Sequence, residues 1–272
     1  MPSSEPFDAH APAFKDYQLS PHGRLLHSIS GANVQRHIEA RPLRVLDAGG
    51  GNGIDAVALA KQGHAVTILD PSGGLLNEAR SSAEAAGVTE RMDFFQAEIA
   101  SIPDLFSQAR FDLVLCHNVL QYVGDLQAAL AAICHAALPG GLLSIICGNR
   151  YSESYREALQ QLRPGAALEK LDTRTIFSGV FKTDMRAYTA DEMSEALRQS
   201  GCEVIAQYGV RCVYDYVPDD ELKNSPAFFA ELERLEQEMS ARFPYYLMAR
   251  FFQIIGRKEG CGLVEHKLAG AG

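Results

Sequence analysis

Three glycines sit at every second position in Asp47-Ala48-Gly49-Gly50-Gly51-Asn52-Gly53, directly behind the mostly apolar run Leu43 to Leu46. Glycine tolerates positive φ and lets the backbone approach a ligand closely. A helix opening at this point adds N–H donors and the positive end of its dipole. Such a turn cradles a nucleotide, and two kinds of ligand compete for it. A dinucleotide site is written G-x-G-x-x-G and rests a pyrophosphate on the helix. Here the pattern is G-x-G-x-G, and Ile54 stands where the third glycine would fall. Asp47 at the strand end suits a ligand carrying an ammonium group, held directly or through water. Asp70 lies about 20 residues further on, the spacing of an acid that accepts hydrogen bonds from ribose hydroxyls. The plainer alternative is a pair of loop acids with no ligand.

These residues need elements to hold them. Leu43 to Asp47, Ala65 to Asp70, Met92 to Phe95, Phe111 to Cys116 and Leu142 to Cys147 read as short apolar strands. Between them Ile54 to Gln62, a stretch capped by Ser72 and running to Ala86, and Gly124 to Ala137 show helical spacing. Strands alternating with helices imply a parallel sheet covered on both faces. The glycines, Asp47 and Asp70 then fall at carboxyl ends of strands, where open α/β sheets bind ligands. After Asn149 the rhythm changes. Tyr151 to Gln161 reads as helix, Leu162 to Lys182 as irregular chain, and Ala190 to Ser200 as a helix ended by Gly201. Cys202 to Tyr216 and Arg250 to Arg257 read as late strands flanking an amphipathic helix, Pro226 to Met239.

A chain of 272 residues, 47% hydrophobic, suits one α/β domain with additions. No run reaches the length of a membrane span and the start lacks a signal pattern, so the expectation is a chain without membrane contact. The cysteines at 116, 134, 147, 202, 212 and 261 show no CxxC spacing, which argues against a zinc or redox motif and for a reduced, cytoplasmic setting. A net charge of −9 gives no support to a broad nucleic-acid surface, while leaving room for a local patch that docks one folded RNA.

The stretches Val45 to Gly53, Leu69-Asp70, Gln96-Ala97-Glu98, Phe111 to Val114 and Leu138-Pro139-Gly140-Gly141 resemble the class I S-adenosylmethionine-dependent methyltransferases. The resemblance implies a Rossmann-like seven-stranded α/β sheet, its last strand antiparallel, with helices on both faces. It also implies S-adenosyl-L-methionine as cofactor. It places the methionine part along Gly49, Gly50 and Gly51, with Asp47 close by. The ribose goes to Asp70 with Pro71 beside it, and the adenine between Glu98 and Ile99. His117 would lie near the sulfonium, and Arg24 would hold the methionine carboxylate. The expected organisation is a helical lid (1–40), a cofactor-binding core (41–150), a substrate-side part carrying the last two strands (151–258) and a flexible tail (259–272).

A narrower resemblance, to the tRNA 5-carboxymethoxyuridine methyltransferases (CmoM, or SmtA), rests on several stretches. They are Arg44 to Gly51, His117 with Val119-Leu120, Gly209-Val210-Arg211 with Asp215-Tyr216, Leu232-Glu233 and Pro244-Tyr245. It implies tRNA as the acceptor; a small metabolite is the alternative acceptor class. A carboxylate acceptor is ionised at neutral pH and needs a cation to hold it rather than a base. Arg211 is the candidate clamp, with pairing to Asp215 or plain solvation as the alternatives. His117 is either a base or part of the pocket lining. Tyr122 and Tyr151 are candidate walls of the acceptor site or core residues. The acidic run Glu231, Glu233, Glu236 and Glu238 reads as a solvated helix face.

Overall fold

The computed structural model of the chain describes residues 5–260. Cys261 and nearly all of the expected tail, 259–272, lie outside them. Three helices come first: α1 (Glu5–Ala9), α2 (Ala11–Leu19) and α3 (Pro21–Gln35). Pro21 opens α3, and the Ser20 hydroxyl accepts from the Gly23 N–H. Leu25, Leu26 and Ile29 bury one stripe of that helix.

The alternating region follows the expected order. β1 (Arg44–Ala48) leads into α4 (Ile54–Lys61), β2 (Ala65–Asp70) into α5 (Gly73–Ala86), and β3 (Met92–Gln96) through α6 (Ile102–Leu105) into β4 (Phe111–His117). α7 (Leu126–Ala136) starts at Asp125, whose side chain accepts from the Ala128 N–H, and runs into β5 (Ala137–Gly148). β5 starts earlier than the sequence pattern suggests. Ala137 pairs with Phe111 and Leu142 with Leu113, so Leu138 to Gly141 form a bulge in the ladder, helped by positive φ at Gly140.

The second half holds α8 (Arg150–Tyr155), α9 (Pro164–Glu169), β6 (Thr175–Ser178), β7 (Thr183–Arg186), α10 (Ala190–Gln199), β8 (Cys202–Val210), α11 (Asp220–Asn224), α12 (Pro226–Ser240) and β9 (Phe251–Lys258). Two expectations are corrected here. The stretch read as irregular, 162–182, contains α9 and half of an antiparallel hairpin, β6 with β7. The strand read as 202–216 stops at Val210, because Arg211 adopts a left-handed φ of 62° that no ladder continues through.

The main sheet has the order β3-β2-β1-β4-β5-β9-β8, with β9 antiparallel to both neighbours. Period-2 alternation divides its side chains between two cores. Leu46, Val114 and Ile145 pack with Leu130, Ile133, Met193 and Leu197 of α7 and α10. Val45, Leu113 and Ile68 pack with Leu59, Leu76 and Ala79 of α4 and α5 on the other face. Both faces are covered, which is why the central strands read as near-continuous apolar runs. Among the described residues no helix is long and apolar enough to cross a membrane.

Candidate active site

The carboxyl ends of β1 to β4, the segments that follow β5 and β8, and the start of the reversed β9 surround a cavity of about 710 Å3. The strand order spreads its wall across the sheet. The β1, β2 and β3 loops form one end, and the residues after β5 and β8 and before β9 form the other.

At the first end lie Gly49, Gly51, Asp70, Pro71, Glu98 and Ile99, all lining the cavity. The turn needs its glycines. Gly49 has φ +79°, and a Cβ there would meet Val119 Cγ2 at 2.5 Å. Gly51 has φ +56° and donates its N–H to Asp70 Oδ2 at 2.9 Å. The Ser72 N–H donates to Asp70 Oδ1, also at 2.9 Å. Burial raises the Asp70 carboxyl to about 6 despite these two bonds. Gly50 and Asp47 stand behind the cavity surface. A Cβ on Gly50 would lie 2.6 Å from the Asp47 carboxylate, so this glycine lets the acid pack under the turn. Burial, with the charges of Asp55 and Asp70, pushes the Asp47 carboxyl well above its ordinary value, a state that a nearby cation would relieve.

His117, on the cavity wall at the end of β4, belongs to a buried polar chain. Its Nδ1 meets Asp55 Oδ2 at 3.0 Å and its Nε2 meets Ser144 Oγ at 2.8 Å. Gln253 Nε2 donates to that same Ser144 Oγ at 2.9 Å. The Ser144 hydroxyl hydrogen is therefore free to go to His117, which leaves Nε2 the acceptor and Nδ1–H the donor to Asp55. Both ring nitrogens are occupied by protein. The other Asp55 oxygen holds His27 Nδ1 at 2.7 Å. Burial alone would lower His27 and raise Asp55; their mutual attraction and hydrogen bond reverse both directions, and the hydrogen bond from His117 adds to the lowering of Asp55.

The far end is built from arginines. Arg211, only 3% exposed, spends three of its five guanidinium N–H groups on Asp215 and on the Tyr17 hydroxyl. The Nε to Asp215 Oδ2 distance is 2.7 Å and the Nη1 to Tyr17 distance is 2.8 Å. Burial alone would raise Asp215, but the Arg211 charge and hydrogen bonds hold it below its ordinary value. Arg250 pairs with the buried Glu153 and reaches Ser152 Oγ at 3.1 Å. Arg156 completes the wall, with Nη1 3.5 Å from Glu153. Three guanidinium groups thus face two carboxylates, which leaves one positive charge over. The lid side is aromatic: Phe7 of α1 and Phe14 of α2 meet Phe181 of the hairpin turn at 4.9 and 5.0 Å between ring centres, and Tyr122 meets Phe7 at 5.4 Å.

The structure brings together Gly49, Gly51, Asp70, Pro71, Glu98, Ile99, His117 and Arg211 of the expected residues. It does not bring Arg24 to the cavity. Leu25 and Leu26 take the buried stripe of α3, and the Arg24 guanidinium lies over the Phe229 ring of α12 at 5.3 Å. Of the two tyrosines, Tyr122 lines the cavity, whereas Tyr151 is 47% exposed outside it. The acidic run on α12 is not wholly solvated. Glu236 is fully buried and accepts from the N–H groups of Cys212, Val213 and Tyr214, which shapes the turn presenting Arg211. Sequence reading also missed Asp55, Arg156, Arg250 and the Phe7, Phe14 and Phe181 cluster. Asp55 sits in the first turn after the glycines, where an acid complements the helix dipole. Nothing local links it to His117.

Residues 45–141 match the methyltransferase domain family. The seven-stranded sheet and this match make the chain a class I S-adenosylmethionine-dependent methyltransferase. The tRNA 5-carboxymethoxyuridine methyltransferase of Escherichia coli is 28% identical over 222 residues, covering 79% of this chain and 80% of that protein. A ubiquinone biosynthesis O-methyltransferase of Xylella fastidiosa is 34% identical over 145 residues, 51% of this chain and 57% of that protein. A solved structure of an S-adenosylmethionine-dependent methyltransferase from Thermotoga maritima aligns over 94% of this chain and 99% of that chain, with TM-score 0.62 and 19% identity.

Proposed function

We propose that the chain methylates the carboxylate of a 5-carboxymethoxyuridine in tRNA. The observation that carries this reading is the arginine-lined end of the cavity, with three guanidinium groups against two carboxylates. When bound, S-adenosylmethionine supplies the methyl group from its sulfonium, and the acceptor becomes a methyl ester. The residues of the first end fit that cofactor. Asp70 is positioned for the ribose with Pro71 beside it, Glu98 and Ile99 for the adenine, and the backbone of Gly49 to Gly51 for the methionine portion. Asp47, held up by burial, is the acid an ammonium would satisfy. Arg24 has no place in this arrangement.

A carboxylate acceptor needs no proton removed at neutral pH. His117 therefore serves as an oriented part of the wall, in keeping with both its nitrogens being bonded to Asp55 and Ser144. Arg211 with Asp215 sets the positive potential and the shape of the acceptor end. In this reading residues 1–40 close over the cavity as a lid, 41–150 hold the cofactor and 151–258 build the acceptor side, in a cytoplasmic enzyme. A second reading, O- or N-methylation of a small metabolite, draws on the aromatic roof of Phe7, Phe14 and Phe181, which would seat a flat apolar acceptor.

The test is to incubate the purified protein and S-adenosylmethionine with tRNA bearing 5-carboxymethoxyuridine, then digest and analyse nucleosides by mass spectrometry. The methyl ester is expected. No ester, alongside turnover of small phenols or amines, would move the assignment to the second reading.

A further inference from the structure

Arg211 and Arg250 are already committed to protein partners, but the third arginine of the acceptor end is not. Arg156 Nε is buried without a hydrogen-bond partner. Its Nη1 reaches Glu153 only at 3.5 Å, and Glu153 is the close partner of Arg250. The Nε edge of a guanidinium is half of the fork that grips a carboxylate in two parallel bonds. Gln160, also on the cavity wall, has Oε1 buried without a partner. Buried polar atoms that stay unpaired carry a desolvation cost, so two on one wall need a reason.

The backbone supplies one. Residues 156 to 160 form a π-helical turn, in which the Gln161 N–H bonds the Arg156 carbonyl at 3.0 Å. Such turns are rare and concentrate at functional sites. Four residues apart on this turn, Arg156 and Gln160 project from one face towards the cavity. The groups acting on Arg156 are Arg250 and Arg211, which repel it, and Glu153 and Asp215, which attract it. An added anion would balance the set.

We infer that Arg156 and Gln160 form the specificity clamp for the acceptor. Arg156 takes the carboxylate and the Gln160 amide oxygen takes a ring N–H, as a uracil would offer. This rests on the carboxylate reading of the function and names the residues that enforce it. The Arg211–Asp215 pair then acts as the frame, and the π-helical turn as the selective element.

The experiment measures binding by calorimetry to the full chain saturated with S-adenosylhomocysteine. The probes are the nucleoside 5-carboxymethoxyuridine and its carboxamide analogue. The wild type is expected to prefer the carboxylate. Arg156→Gln should weaken the carboxylate nucleoside about 10- to 100-fold, the range of a charge-assisted bond, and leave the carboxamide unchanged. Gln160→Ala should weaken both probes alike, by about 3- to 10-fold, the range of a neutral bond. Affinity for S-adenosylhomocysteine should not move in either variant. Arg156→Met, which removes the charge and keeps the length of the side chain, carries the same comparison if the glutamine variant does not fold. A variant at Arg156 that still separates carboxylate from carboxamide as the wild type does would overturn the clamp alone. A wild type with no preference between the two probes would overturn the carboxylate acceptor and the clamp with it.

Discussion

Asp215→Ala would strip the counter-charge from a guanidinium that has nowhere to go. The two side chains are 3% and 6% exposed, and both Asp215 oxygens are bonded to Arg211. Arg211 cannot swing out easily, because its own carbonyl accepts from the Arg250 N–H at 2.9 Å and Glu236 fixes the N–H groups of the following turn. Breaking one partner of a buried pair costs about 3–5 kcal/mol. The Tyr17 hydroxyl remains and the cavity admits water, so the low end, about 3 kcal/mol, applies. With about 2.1 cal/mol/K of unfolding entropy per residue, 272 residues give about 0.57 kcal/mol/K, and the melting temperature should fall by about 5 °C. Replacing both partners, Arg211→Met with Asp215→Leu, should recover more than half of that loss, since no buried charge is left behind. Scanning calorimetry with and without S-adenosylhomocysteine reads both effects. The stabilisation by S-adenosylhomocysteine should persist, because the pair stands at the other end of the cavity from Asp70. A fall of less than about 1 °C, or a double variant no better than the single, would refute the view of this pair as a buried, closed frame.

Three further outcomes follow from the glycine-turn end of the cavity, proposed to hold the cofactor, and from the buried chain. In Asp55→Asn both histidines lose their acid, and the stability lost depends on pH. The raised His27 contributes stability below about 6.5 that fades as pH rises through its folded value, and the lowered Asp55 contributes stability above about 4 that fades in acid. Urea titrations should therefore show the widest gap to wild type between about pH 4 and 6.5. Asp70 rises to about 6, and its ionised form is the better acceptor for ribose hydroxyls. The affinity for S-adenosylhomocysteine should thus drop as pH falls below that value, and Asp70→Asn should bind weakly with no such dependence. Gly49→Ala should cost about 1–2 kcal/mol for its left-handed φ alone, and the clash with Val119 should displace the turn. Loss of S-adenosylhomocysteine binding in a folded variant, by circular dichroism, is the expected result.

The placing of the glycine turn and Asp70 at one end of the cavity was legible because its signals are local. Strand, glycine turn and helix run consecutively from Leu43 to Lys61, and Asp70 ends the next strand, so the pattern of residue types carries position as well as identity. Arg24 misled because a helix periodicity says which side is buried, not which neighbour an exposed position meets; α12, two hundred residues on, decided that. Glu236 reads as one more charge on a solvated face until β8 ends early and leaves three N–H groups for it to cap.

The sequence alone determined the alternation that makes a parallel sheet, the glycine turn and the acids that follow it, all properties of spacing within a few tens of residues. Only the tertiary structure decided which charges meet. Arg156, Arg211 and Arg250 come from three separate segments, and the reversal of β9 puts Arg250 at the same end of the sheet as the segments that follow β5 and β8. His27, Asp55, His117 and Ser144 likewise come from four. Coulombic and hydrogen-bonding partners act over a few ångströms of space, and no periodicity in the chain encodes those distances.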